Sequence, residues 1–212
     1  MYLVTGSIGS GTTLVSQYMH SLGICMMREK SNIAEDPILF EFLETWNGKR
    51  PTRSKLDKLR DLIVETEKTK DLWGFKYPPT LLYSSSVIDS FEKYTSNVTM
   101  IHIFRDFNEN IECWMNRKPN HPTTIEDAIR DLLRFHTEAI RVKSWRQVHI
   151  VYIRDVIDHS YEFYKLLNID KPYIPICEVL KPNRLHLSNK KFPCNKNVNY
   201  IFNLLMEIKW KP

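Results

Sequence analysis

Short apolar runs alternate with longer amphipathic stretches along most of this chain. Residues 2–4, 98–104 (VTMIHIF) and 148–153 (VHIVYI) are compact and bounded by polar residues, and the last two are rich in β-branched positions, which predicts buried strands. Between them the apolar positions recur at helical spacing. Residues 12–22 form one such stretch, with Leu14, Tyr18 and Leu22 on one face and Gly23 as a stop. Further helices are predicted over 37–48, 54–68 and 81–93, from Arg105-Asp106 to about residue 117, from a cap at Thr123 or Thr124 to residue 141, and over 156–167. Residues 73–79 (WGFKYPP) read as a short extended piece closed by two prolines. After Pro172 the chain is rich in proline and asparagine until residues 200–210, which read as a docking helix.

Strands separated by helices predict an α/β fold with a parallel sheet and helices on both faces. With 212 residues the chain is long enough for one domain spanning 1–212, its 172–212 segment irregular apart from the docking helix. Ligands in such sheets sit at the C-terminal ends of the strands. The turn after the first strand, Lys76 and Arg105 should therefore share one cleft.

That turn reads GSIGSGTT, residues 6–13. Its glycines Gly6, Gly9 and Gly11 let backbone N–H groups turn inward around an anion, and the helix that follows adds its positive end, equivalent to about half a charge. Ser10, Thr12 and Thr13 bring hydroxyls. The plain alternative is a turn that only joins strand to helix. A nucleoside-triphosphate loop ends in Gly-Lys-Ser/Thr, and here Thr12 stands in the lysine's place. Such a site also needs an acidic residue for Mg²⁺, and Asp106 stands awkwardly beside Arg105.

Composition narrows the classes without choosing one. The chain is 42% hydrophobic and 26% charged with a net charge of +5, ordinary for a globular protein and mild enough to exclude a nucleic-acid reading based on basic runs. Cys25, Cys113, Cys177 and Cys194 lie far apart, which offers neither a zinc cluster nor a disulfide framework. No apolar run approaches membrane-spanning length, and Met1 stands directly against the first strand with no leader pattern. The expectation is a cytoplasmic protein without a membrane span.

Four segments taken together, in order, resemble the sulfotransferases that use 3′-phosphoadenosine 5′-phosphosulfate (PAPS). Ser10-Gly11-Thr12-Thr13-Leu14 is similar to their 5′-phosphosulfate loop, which reads Arg/Lys-Ser-Gly-Thr-Thr. Trp73-Gly-Phe-Lys-Tyr-Pro78 resembles their Lys-x-Pro segment, IHIFRDFNENIECWMNRK the strand-Arg-Asp-helix segment that holds the 3′-phosphate, and VYIRDVIDHSYEFYKLLNID the later Tyr-Glu-Asp-Leu region. The tyrosylprotein branch gives the nearest pattern, with carbohydrate enzymes beside it. The resemblance implies PAPS as co-substrate, no metal, and a small-molecule, carbohydrate or peptide acceptor. It makes Gly6, Gly9, Ser10, Gly11, Thr12, Thr13, Arg105 and Cys113 the cofactor-binding set. Lys76 is then the candidate cation for the leaving oxygen, and Glu29 the candidate base, with Glu35 as a fallback. His20, His102 and His136 are further candidate bases, but His20 lies within the first helix and His102 within a predicted buried strand, so these two read better as structural histidines.

Three positions depart from the family. Gly9 replaces the loop's Arg/Lys, Cys113 stands where the family has a serine, and Phe107 replaces a proline. The first keeps two rivals open: a catalytically impaired nucleotide-binding relative and an atypical P-loop nucleoside or nucleotide kinase.

Overall fold

The computed structural model describes residues 1–26, 53–76, 84–95, 97–116, 124–144, 146–179, 192 and 196–212. The expected helix over 37–48 lies outside them, as do Glu29, Glu35 and the prolines after Lys76. Four parallel strands, β1 (Tyr2–Gly6), β2 (Gly74–Lys76), β3 (Thr99–Phe104) and β4 (Val148–Tyr152), form one sheet in the order β2-β1-β3-β4. The described helices are α1 (Thr12–Ser21), α2 (Arg53–Thr69), α3 (Ser84–Tyr94), α4 (Phe107–Met115), α5 (Ile125–Lys143), α6 (Ile153–Asp158), α7 (Ser160–Leu167), α8 (Ile176–Val179) and α9 (Lys196–Ile208).

Alternation along the strands builds two cores, because successive side chains point to opposite faces. Leu3, Met100, Phe104, Val148 and Ile150 face α2, α3, α5 and α9. Val4, Ile101, Ile103 and Val151 face α1, α6 and α7. The fold is thus α/β with helices on both faces of a parallel sheet, as the chain pattern predicts. Trp114 and Phe135 anchor a third cluster between α4 and α5.

The connection leaving β1 runs through α1 on one face, and the one leaving β3 passes to α5 on the other. The crevice of an open sheet lies where such connections diverge. Here that places it between Gly6 and Arg105. The registers Val4↔Lys76, Gly6↔Ile103 and Phe104↔Tyr152 bring the strand ends to a common level.

Boundaries differ where local chemistry overrides pattern. Ile153 begins a helix instead of ending β4, and His159 (φ −129°, ψ 47°) splits the expected 156–167 helix into α6 and α7. The docking helix starts earlier than expected, at Lys196, and its end is tied to the sheet by Trp210 N donating to the Ile150 carbonyl at 2.6 Å.

His102 in β3 and His136 in α5 form a buried pair, Nε2 to Nδ1 3.0 Å. Burial pushes His136 down to about 4, and burial first, then its partner, holds His102 well below the ordinary histidine value. Both are buried in the core, which fits the structural reading of His102; His136, a candidate base in the sequence, is buried with it. Their folded-state values are depressed, so stability is full above the unfolded value near 6.5 and falls as pH drops from there toward 4. His136 alone should cost about 3 kcal/mol by pH 4. Urea midpoints between pH 7 and 4.5 check this: the slope should flatten in the His102→Leu/His136→Leu double variant, and an equal slope would contradict it.

Candidate functional site

The glycine turn is braced from beneath by α4. Ser7 Oγ donates to Asn110 Oδ1 at 2.5 Å, Asn110 Nδ2 donates to the Ile8 carbonyl at 2.6 Å, and Arg105 Nη1 donates to the Gly9 carbonyl at 3.1 Å. Within the turn, Ser10 N donates to the Ser7 carbonyl at 3.1 Å. Two consecutive loop carbonyls are therefore drawn to the α4 side. Gly6 is required for a different reason: a Cβ there would stand 2.4 Å from the Ile103 carbonyl oxygen and 2.6 Å from Ser10 Oγ.

Helix α1 starts from Gly11, which supplies no side-chain cap. The first-turn amides of a helix have no intrahelical partner, and with this N-cap they remain donors for an outside acceptor. Ser10 Oγ is fully buried with no hydrogen-bond partner among the described residues. Unpartnered buried hydroxyls are uncommon and call for an explanation, and an anion seated in the turn supplies one.

A cation reaches the turn from the neighbouring strand. Lys76, at the end of β2 and only 4% exposed, donates from Nζ to Thr13 Oγ1 at 3.1 Å. A buried ammonium is expensive unless hydrogen-bonded and paired, and this one is brought to the first turn of α1. Arg105, Lys76, Thr12, Thr13 and the turn thus meet at one end of the sheet.

The arrangement around Arg105 is more elaborate than its sequence position suggests. Its Nε and Nη2 both reach Glu109 Oε2, at 3.2 and 2.8 Å, and both side chains are 6% exposed. Glu109 Oε1 accepts from Arg154 Nη2 at 2.5 Å. One buried carboxylate is thus clamped between two guanidiniums, one inside and one at the surface. Asp106 spends Oδ1 on the amides of Asn108 and Glu109 as the N-cap of α4. It is the helix cap of α4, which gives this carboxylate a structural role.

At position 9 the packing leaves little room for a side chain. Gly9 has φ +84°, and a Cβ there would sit 3.0 Å from Asn110 Nδ2 and from Cys113 Cβ and Sγ. Cys113 therefore packs under the loop. Gly9→Arg is expected to lower the unfolding free energy by about 1–3 kcal/mol without improving ligand binding. An unchanged denaturation midpoint would show that the loop relaxes around the new side chain.

Glu109, Asn110 and Arg154 are absent from the sequence reading. Glu109 stands four residues after Arg105 on a helix, the spacing of a stabilising ion pair. Arg154-Asp155 follows β4 as Arg105-Asp106 follows β3, and this repeated strand–Arg–Asp signature could have exposed Arg154. His20 lies exposed in the last turn of α1, where its Nδ1 accepts from Met26 N at 3.4 Å. Among the described residues no group of three or more His, Cys, Asp or Glu side chains is placed to hold a metal ion, and no helix is long and apolar enough to cross a membrane.

Fold and site together define an α/β protein with a four-stranded parallel sheet flanked by helices and a glycine turn between its first strand and helix. No protein-family model matches the chain, and no curated protein matches it. Among solved structures, an unliganded sugar kinase from Janibacter sp. is similar at a TM-score of 0.40 and 14% identity, covering 62% of this chain and 76% of that one. A likeness of that size carries no functional weight.

Proposed function

We propose that the chain is a PAPS-dependent sulfotransferase, moving a sulfuryl group to a hydroxyl or amine of a small-molecule, carbohydrate or peptide acceptor. The observation that carries the reading is Lys76 Nζ held 3.1 Å from Thr13 Oγ1, which brings a buried cation to the mouth of the turn from outside it. In the reaction an acceptor oxygen or nitrogen attacks sulfur in line, the bond from sulfur to the bridging oxygen breaks, and 3′-phosphoadenosine 5′-phosphate leaves. Negative charge grows on that bridging oxygen, and a preorganised donor aimed at it lowers the barrier. Lys76 fills this role. The α1 amides, Thr12 and Thr13 hold the anionic end of the donor, and Ser10 Oγ gains the partner it otherwise lacks. Arg105 supports the turn through the Gly9 carbonyl. The acceptor's proton needs a base, for which the family resemblance nominates Glu29.

A second reading, an atypical nucleotide-dependent kinase, is favoured by the same lysine: delivered to the first turn of α1, it can meet the β- and γ-phosphates that a loop lysine normally serves. The two separate on transfer. Radiolabelled PAPS incubated with a panel of sugars, phenols and tyrosine peptides is expected to give a labelled product that persists in EDTA. Label transfer from γ-labelled ATP with Mg²⁺, and none from PAPS, would select the kinase.

A further inference from the structure

We infer that Arg154 is the guanidinium that reads the second phosphate of the bound nucleotide, with Glu109 as its positioning residue; this rests on the nucleotide reading above. Arg105 has the better sequence credentials, but it is built into the fold. Its Nε and Nη2 are on Glu109, its Nη1 is on the Gly9 carbonyl, and it is 6% exposed. Reaching a ligand would require it to release the loop that the ligand needs.

Arg154 shares the same carboxylate from the solvent side. Its side chain is 44% exposed, and among the described residues only Nη2 is engaged, on Glu109 Oε1. A guanidinium has five N–H donors, so four have no partner among the described residues. Of the neighbouring acids, Asp106 acts on Arg154 through its charge, but neither it nor Asp155 takes a hydrogen bond from Arg154 among the described residues. Asp106 Oδ1 caps α4, and Asp155 is paired with Lys209. Glu109 carries one negative charge between the positive charges of Arg105 and Arg154, and Asp106 adds a second negative charge beside them.

Placement supports a ligand with two separated anionic groups. Ile153, next to Arg154, packs against the turn, its Cδ1 2.9 Å from where a Gly11 Cβ would stand. Arg154 therefore stands at the lip of the turn on the β4 side. Lys76 stands on the β2 side, and three inter-strand gaps of about 4.8 Å lie between β2 and β4. A nucleotide bearing one phosphate group would engage the turn and Lys76. One that carries a further phosphate on its ribose also reaches Arg154, whose planar fork suits a phosphate.

The test is calorimetric titration of the full chain with 3′-phosphoadenosine 5′-phosphate and with adenosine 5′-monophosphate, alongside a thermal melt. The wild type should prefer the bisphosphate. Arg154→Gln should weaken the bisphosphate on the order of 10- to 100-fold, leave the monophosphate and the melting temperature unchanged, and so erase the preference, while Arg154→Lys recovers part of it. An Arg154→Gln protein that keeps the wild-type preference, or that loses both ligands together with its melting temperature, overturns the assignment. A wild type that binds both nucleotides equally overturns it too and leaves the nucleotide reading standing. A wild type that binds neither removes the nucleotide reading itself and this inference with it.

Discussion

Glu109→Ala should lower the unfolding free energy by about 3–5 kcal/mol, because it breaks a buried ion pair by removing one partner. Glu109 and Arg105 are each 6% exposed, and the carboxylate receives two bonds from Arg105 and one from Arg154. Without it Arg105 keeps the Gly9 carbonyl as acceptor but loses its two bonds to Glu109. The effect should spread to the turn, since Arg105 is one of the two side chains that hold the loop carbonyls. With a urea slope of about 2 kcal/mol/M, the midpoint should fall by roughly 2 M. Glu109→Gln retains an acceptor of the same shape and should lose less. Arg154→Ala should cost under about 1 kcal/mol, because that side chain is nearly half exposed. A Glu109→Ala loss below about 1 kcal/mol would mean that water reaches Arg105 and that the clamp is not buried in solution.

Lys76→Ala should reduce turnover about 10²–10³-fold, the usual consequence of removing one preorganised donor from a developing anion. Affinity for the product nucleotide should change far less, because the α1 amides, Thr12 and Thr13 remain. The separation follows from position: Lys76 comes from β2, outside the turn, so the turn's own geometry survives its loss. Lys76→Met keeps the apolar stem and tests the charge alone. Steady-state kinetics with saturating donor measure the effect. An unchanged kcat would move the cation's role elsewhere, and a matched fall in affinity and turnover would make Lys76 a binding residue only.

The layers of the fold were readable because burial enforces period. The run VTMIHIF announces β3 by composition alone, and the alternation that sends Met100 and Phe104 one way and Ile101 and Ile103 the other is present in the letters. The turn was readable because glycine and hydroxyl residues between a strand and a helix have few other physical uses. That Arg105 and Lys76 come to the same end of the sheet as the turn follows from the convergence of strand ends in a parallel sheet. What could not be read is who bonds whom. Nothing in the sequence says that Arg105 turns its guanidinium onto Glu109 and the Gly9 carbonyl, or that Cys113 lies against Gly9. Those outcomes depend on the seat of α4 under the loop, which is set by packing between α4 and α5 through Trp114 and Phe135. The break at His159 was missed for a similar reason: the apolar spacing runs straight through it, and only backbone geometry shows the interruption.

The most direct test of the whole account is calorimetric titration of the wild-type chain with 3′-phosphoadenosine 5′-phosphate and, separately, with ATP–Mg²⁺. Saturable one-to-one binding of the adenosine bisphosphate, with at least tenfold preference over ATP–Mg²⁺, is the predicted result. No heat from the bisphosphate, or a preference for ATP–Mg²⁺, would contradict it.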